Sequence, residues 1–109
     1  MALSKNNRLK KAKDFDFVFH GGTAVKGNVL LIKYRQNRTN KSRFGFIVSA
    51  KFFKKAVARN RIKRLLSEIV QSSQGDINRG YDIVVVVNRK AESEDMKADL
   101  KNLLSKLND

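Results

Sequence analysis

The sequence predicts an α+β fold, an α/β sandwich with helices packed on a small central β-sheet, in the order α-β-β-α-β-α. Three observations lead there. Segments 54–71 and 92–107 repeat apolar residues at helical spacing. Segments 25–35 and 43–50 are rich in β-forming residues, and 81–87 is an unbroken run of them after Asp82. At 109 residues and 41% apolar content, the chain suits one folded domain spanning 1–109 rather than a disordered basic tail.

Residues 1–12 are basic and poor in apolar side chains, which reads as an extended, flexible arm carrying Lys5, Arg8, Lys10 and Lys11. Phe15, Val18 and Phe19 then recur at i, i+3, i+4 and predict a short helix over 13–20. Phe17 points away from that stripe. Gly21 and Gly22 are expected to stop the helix through the left-handed cap conformation. Residues 25–35 predict one strand, the polar stretch 36–42 a hairpin loop, and 43–50 a second strand. In that strand Phe44, Phe46 and Val48 alternate against Gly45, Ile47 and Ser49, and the internal glycine marks a bulge or a close approach to the backbone.

The helix over 54–71 buries Ile62, Leu65, Leu66, Ile69 and Val70 along one stripe and ends at 72–75. The run at 81–87 predicts a strand buried on both faces. The last helix, 92–107, aligns Met96, Leu100, Leu103, Leu104 and Leu107. Glu92, Glu94 and Asp95 in its first turn suit the positive end of the helix dipole.

Charge narrows the function. Lys and Arg number 24 against 10 acids, a formal net charge of +14. Residues 1–64 hold 18 basic and two acidic side chains, whereas 65–109 hold 6 and 8. So one-sided a distribution repels itself unless a polyanion neutralises it, and nucleic acid phosphates are the commonest such partner. With no cysteine, a disulfide framework and thiolate metal sites are excluded. No signal-peptide pattern and no membrane-length apolar run is present, and a cytoplasmic protein without a membrane role is expected.

The densest signal is 51–64, with seven basic residues and no acid. On a helix turning about 100° per residue, Asn60, Lys63 and Arg64 fall on or near the side opposite the apolar stripe, with Arg59 and Arg61 flanking it. A solvated helix face interleaves both signs for i, i+4 pairing, and this one does not. Lys54, Lys55, Arg59, Asn60, Arg61, Lys63 and Arg64 are therefore candidate contacts to RNA. Arginine forks suit phosphate oxygens, and Asn60 can both donate and accept.

The motif Ala56-Val57-Ala58-Arg59-Asn60-Arg61-Ile62-Lys63-Arg64-Leu65 resembles the arginine-asparagine-arginine motif of the bacterial ribonuclease P protein family. The resemblance extends over nearly the whole chain. It includes Arg8-Leu9-Lys10-Lys11, Asp14-Phe15, Val18-Phe19, Gly22, Arg43-Phe44-Gly45-Phe46 with Val48-Ser49, and Gly80-Tyr81-Asp82-Ile83-Val84 with Arg89. Ala50, where the family often has a basic residue, and the lack of a proline after Arg89 are departures. The resemblance implies a ribosomal protein S5 domain 2-like fold with a left-handed βαβ crossover. It implies partnership with a catalytic RNA, at one protein per RNA, and with precursor tRNA. The activity it implies is removal of the 5′ leader as part of an endoribonuclease, with Mg2+ required by the RNA-containing holoenzyme. It also implies a leader cleft, for which Phe15, Phe19 and Tyr34 are the candidate aromatic faces and Lys33, Arg35, Ser49 and Lys51 the candidate rim. The alternative for the three rings is plain core packing.

No residues converge as a catalytic or metal site. His20 is the one histidine. Asp14 and Asp16 diverge on a helix, and a protein-borne phosphodiesterase needs a base, a nucleophile or paired metal-binding carboxylates. Two other functions are compatible with the basic half: a ribosomal or ribosome-assembly protein, and a stand-alone nuclease acting through His20. Phe52 and Phe53 precede the basic helix, where one can staple its start and an exposed Phe52 would offer a stacking face.

Overall fold

The computed structural model describes residues 8–9, 11–37, 41–73 and 80–108. The elements are α1 (Ala12–Gly21), β1 (Thr23–Lys26), β2 (Leu31–Gln36), β3 (Arg43–Val48), α2 (Ala56–Ser73), β4 (Tyr81–Val87) and α3 (Ser93–Ser105), followed by a 3-10 turn, Lys106–Asn108. The α+β class holds, with one more strand than expected.

The segment read as a single strand is a hairpin. β1 pairs antiparallel with β2, Lys26 facing Leu31. Residues 27–30 supply the turn, and the chain reverses with a carboxylate from elsewhere organising it. Asp99 of α3 accepts hydrogen bonds from the backbone N–H groups of Asn28 (3.0 Å), Val29 (2.9 Å) and Leu30 (2.8 Å). A Cβ at residue 27 would collide with that carboxylate, so glycine is the residue that fits.

Residues 36–42 do not close a hairpin either. The sheet order is β1-β2-β4-β3, so β4 lies between β2 and β3. β4 runs antiparallel to β2 and parallel to β3. β2 and β3 are therefore not neighbours, and β3–α2–β4 is a crossover between parallel neighbours. β2 and β4 are the two inner strands; β4 is covered on both faces because its valines are apolar on both, while β2 carries Lys33 and Arg35 on one of its faces.

That alternation divides the core into two layers. Ile32, Phe44, Val48, Ile83, Val85 and Val87 face α2 and α3, meeting Leu66, Ile69, Val70, Met96, Leu100, Leu103 and Leu104. Each such side chain, when fully buried, gains about 1.5–3 kcal/mol from leaving water. On the other face Val84 packs with Val18 of α1 and Leu9, with Phe15, Phe19, Ile47 and Val86 half-buried around them.

Two local expectations change. Gly22 stops α1 with an extended backbone (φ −95°), not a left-handed one. It is there for space, since a Cβ would strike the carbonyl oxygens of Val18 and Tyr34. The end of the arm is docked rather than free: Leu9 N–H donates to Phe44 O at 2.8 Å, Arg8 bridges to Phe44 on the open edge of β3, and Leu9 is buried. Lys5 and Lys10 lie outside the described residues.

Candidate RNA interface

The basic helix starts two residues later than expected, and its turn is tied by Arg59. The Nη1 of Arg59 donates to the carbonyl oxygens of Phe53 and Lys54, both at 2.8 Å. Arg59 is thus half-buried and turned to its own backbone, while Lys54, Lys55, Asn60, Arg61, Lys63 and Arg64 are exposed. Phe53 packs on the α2–α3 core, as a staple would, and Phe52 is half-buried with Lys51 Nζ 5.7 Å from its ring.

Asn60, Lys63 and Arg64 do not simply face bulk water. With Ser67 they form one wall of a cavity of about 420 Å³, whose other walls are Arg8, Leu9, Phe15 and Phe44–Phe46. That volume suits a small-molecule-sized group such as a nucleotide. No acid lines it. Arg8 Nε is buried with no hydrogen-bond partner among the described residues, a condition that native proteins rarely leave uncompensated. Arg8, Lys63 and Arg64 form no ion pair among the described residues. The cavity gathers three cationic side chains with no anion among its lining residues.

Phe15 closes this cavity because the strand beneath it has no side chain. A Cβ on Gly45 would overlap the Phe15 ring, so the internal glycine marks a close approach and not a bulge. Gly45→Ala is expected to lift the ring and to destabilise the protein by about 1–3 kcal/mol, the usual effect of overpacking. Urea unfolding of the variant checks this.

The candidate cleft is only partly assembled as expected. Phe15 and Phe19 share a flank of α1 and the sheet surface made by Ile47 and Val86. Lys33 Nζ lies 4.6 Å from the Phe19 ring. Ser49 follows β3, its Oγ accepting from Lys51 N–H at 3.2 Å, with Lys51 exposed. Tyr34 is a correction. Strand alternation puts it opposite Lys33 and Arg35, against the α2–α3 core, with its ring edge-on to Tyr81 at 5.6 Å. Arg35 reaches Phe17 rather than the Phe15–Phe19 flank. Its guanidinium lies 3.5 Å from the Phe17 ring and donates to Phe17 O at 3.3 Å. Lys11 is exposed at the start of α1.

Sequence reasoning passed over the group that fastens this face. Arg43 donates through Nε and Nη2 to the two oxygens of Asp82, at 2.8 and 2.7 Å, and Asn37 Nδ2 donates to Asp82 Oδ1 at 2.8 Å. Asp14 of α1 stands 3.8 Å from Arg43. The hydrogen bonds it donates to Asp82 hold the Arg43 guanidinium above its ordinary range. The signal was an acid leading a strand of valines. Among the described residues no group of three or more His, Asp or Glu side chains is arranged to hold a metal. His20 Nδ1 sits 2.9 Å from its own helix's Asp16 O. No described helix is long and apolar enough to cross a membrane.

These features define a class: a three-layer α+β protein whose crossover helix presents uncompensated cations beside a half-open sheet face. The ribonuclease P family model matches residues 3–108, and the chain belongs to that family. It is 32% identical over 106 residues to the ribonuclease P protein component of Thermotoga maritima, covering 97% of this chain and 90% of that one. It is 42% identical over 93 residues to that of Fusobacterium nucleatum, covering 84% and 83%. Among solved structures, the T. maritima RNase P protein superposes with a TM-score of 0.81 at 31% identity, over 91% of this chain and 96% of that one. The Staphylococcus aureus RNase P protein does so with a TM-score of 0.83 at 26% identity, over 92% and 94%.

Proposed function

We propose that this chain is the protein subunit of a cytoplasmic ribonuclease P, one copy per catalytic RNA. It binds that RNA through α2 and holds the 5′ leader of precursor tRNA along the Phe15–Phe19 flank. The cavity of Arg8, Asn60, Lys63 and Arg64, lined by cations and by no acid, is the observation that carries this reading. A phosphodiester supplies the oxygens those donors lack. The flank supplies ring edges and the Lys33 ammonium, which suits a strand held without regard to sequence.

Bond cleavage is assigned to the RNA with its Mg2+. Asp82 and Asp99 are engaged by Arg43 and by the β1–β2 turn. This chain's residues bind, orient and screen charge.

The test combines the protein with ribonuclease P RNA at low Mg2+ and follows release of the leader. Stimulation over RNA alone is expected, and its absence refutes the proposal. Arg64→Ala is expected to weaken binding to the catalytic RNA about tenfold and to reduce the dependence of log Kd on log salt by about 0.7–0.9. Phe19→Ala is expected to spare that binding and weaken capture of leader-bearing substrate. Equal losses in both assays by both variants would remove the two-surface arrangement.

A further inference from the structure

α1 has a second aromatic flank, facing away from the Phe15–Phe19 cleft. Phe17 is 54% exposed, a large apolar surface to leave in water. It is not loose. Arg35 stacks on it at 3.5 Å and is pinned by its bond to Phe17 O. The packing has been given room, because a Cβ at Gly21 would collide with the Arg35 guanidinium. Lys13 and His20 line the same depression, with Asp16 as its single acid.

We propose that this flank is a second stacking site for the single-stranded leader, taking an unpaired base farther from the cleavage point than those held by Phe15 and Phe19. The inference rests on the leader reading above. Continuity supports it. Lys33 and Arg35 are i, i+2 on β2 and so stand side by side on one face of the sheet. Each covers a ring of α1, Lys33 over Phe19 and Arg35 over Phe17. The two cation–ring pairs stand on either side of the C-terminal half of α1, both braced from the same strand. Charge supports it too, because Arg35 and Lys13 outnumber Asp16 where a backbone phosphate would lie. A ring braced from one side by a guanidinium is ready to receive a base without reordering, and stacking of this kind tolerates any base.

The experiment measures Kd of the assembled holoenzyme for precursor tRNAs whose leaders are lengthened one nucleotide at a time, with wild type, Phe17→Ala, Phe17→Trp and Phe19→Ala. The wild type is expected to tighten in two stages as the leader grows. Phe17→Ala is expected to lose the second stage, about tenfold, while matching wild type on short leaders and on the catalytic RNA. Phe17→Trp is expected to retain both. Phe17→Ala tracking wild type at every length overturns this site while leaving the first flank standing. A wild type indifferent to leader length removes both. Weaker binding of Phe17→Ala to mature, leaderless tRNA also overturns it, because the flank then serves another RNA. As Phe17 is largely exposed, its variants are expected to melt with wild type.

Discussion

Asp99→Ala is expected to destabilise the protein by about 4 kcal/mol, a large share of the 5–15 kcal/mol typical of a domain. One buried carboxylate accepts three backbone N–H groups of the β1–β2 turn, which no other described group reaches. Bonds to a charged acceptor contribute more than neutral ones, and donors left buried without partners lose their hydration as well. Asp99→Asn is expected to be nearly as damaging, since an amide turns an NH2 toward donors where an oxygen stood. The damage spreads to the neighbouring basic loop, because Arg89 donates to Asn28 O at 3.3 Å and is released when the turn loosens. Urea unfolding reads the effect. A loss below about 1 kcal/mol for the alanine variant would mean that water replaces the carboxylate freely.

Asp82→Ala comes second, at about 3 kcal/mol. Removing one member of a fully buried pair usually costs 3–5 kcal/mol. The Arg43 side chain is 34% exposed and can turn partly to water, which places the value at the lower end. Asn37 loses one acceptor at the same time while keeping Lys41 O, and α1 keeps only the longer contact between Asp14 and Arg43. A double-mutant cycle with Arg43→Ala isolates the pair, and a coupling near zero would contradict the assignment. The pH behaviour follows from the guanidinium. Its folded pKa is raised above the unfolded value, so its stabilisation is complete below arginine's ordinary range and is lost only in stronger alkali. Between pH 5 and 9 Arg43 contributes no slope.

Much of this was legible where the signal is local. The valine run of β4 has apolar side chains on both faces wherever the strand sits, so burial was readable without a partner. The period of α2 separated Leu66 and Ile69 from Lys63 and Arg64. Non-local facts were out of reach. That β4 inserts between β2 and β3 depends on strands far apart in the chain. The hairpin carried a usable sign in Gly27-Asn28, but its organiser is Asp99, some seventy residues away. That aspartate sits three positions from Met96 and one from Leu100, inside an apolar stripe, an anomaly of the kind that marks a buried acceptor. Tyr34 was misassigned because a strand face was chosen by residue type; parity with Lys33 sends it to the other side.

The placement of β4 shapes how the chain is born. When a ribosome has released the first seventy residues, β2 and β3 are present but cannot join each other, and the carboxylate that organises the β1–β2 turn has not been made. The emerging half is the strongly cationic one, unfolded in surroundings crowded with polyanions. Consolidation therefore waits for the last third of translation, because a chain interrupted before α3 lacks both the acceptor of that turn and one wall of the core.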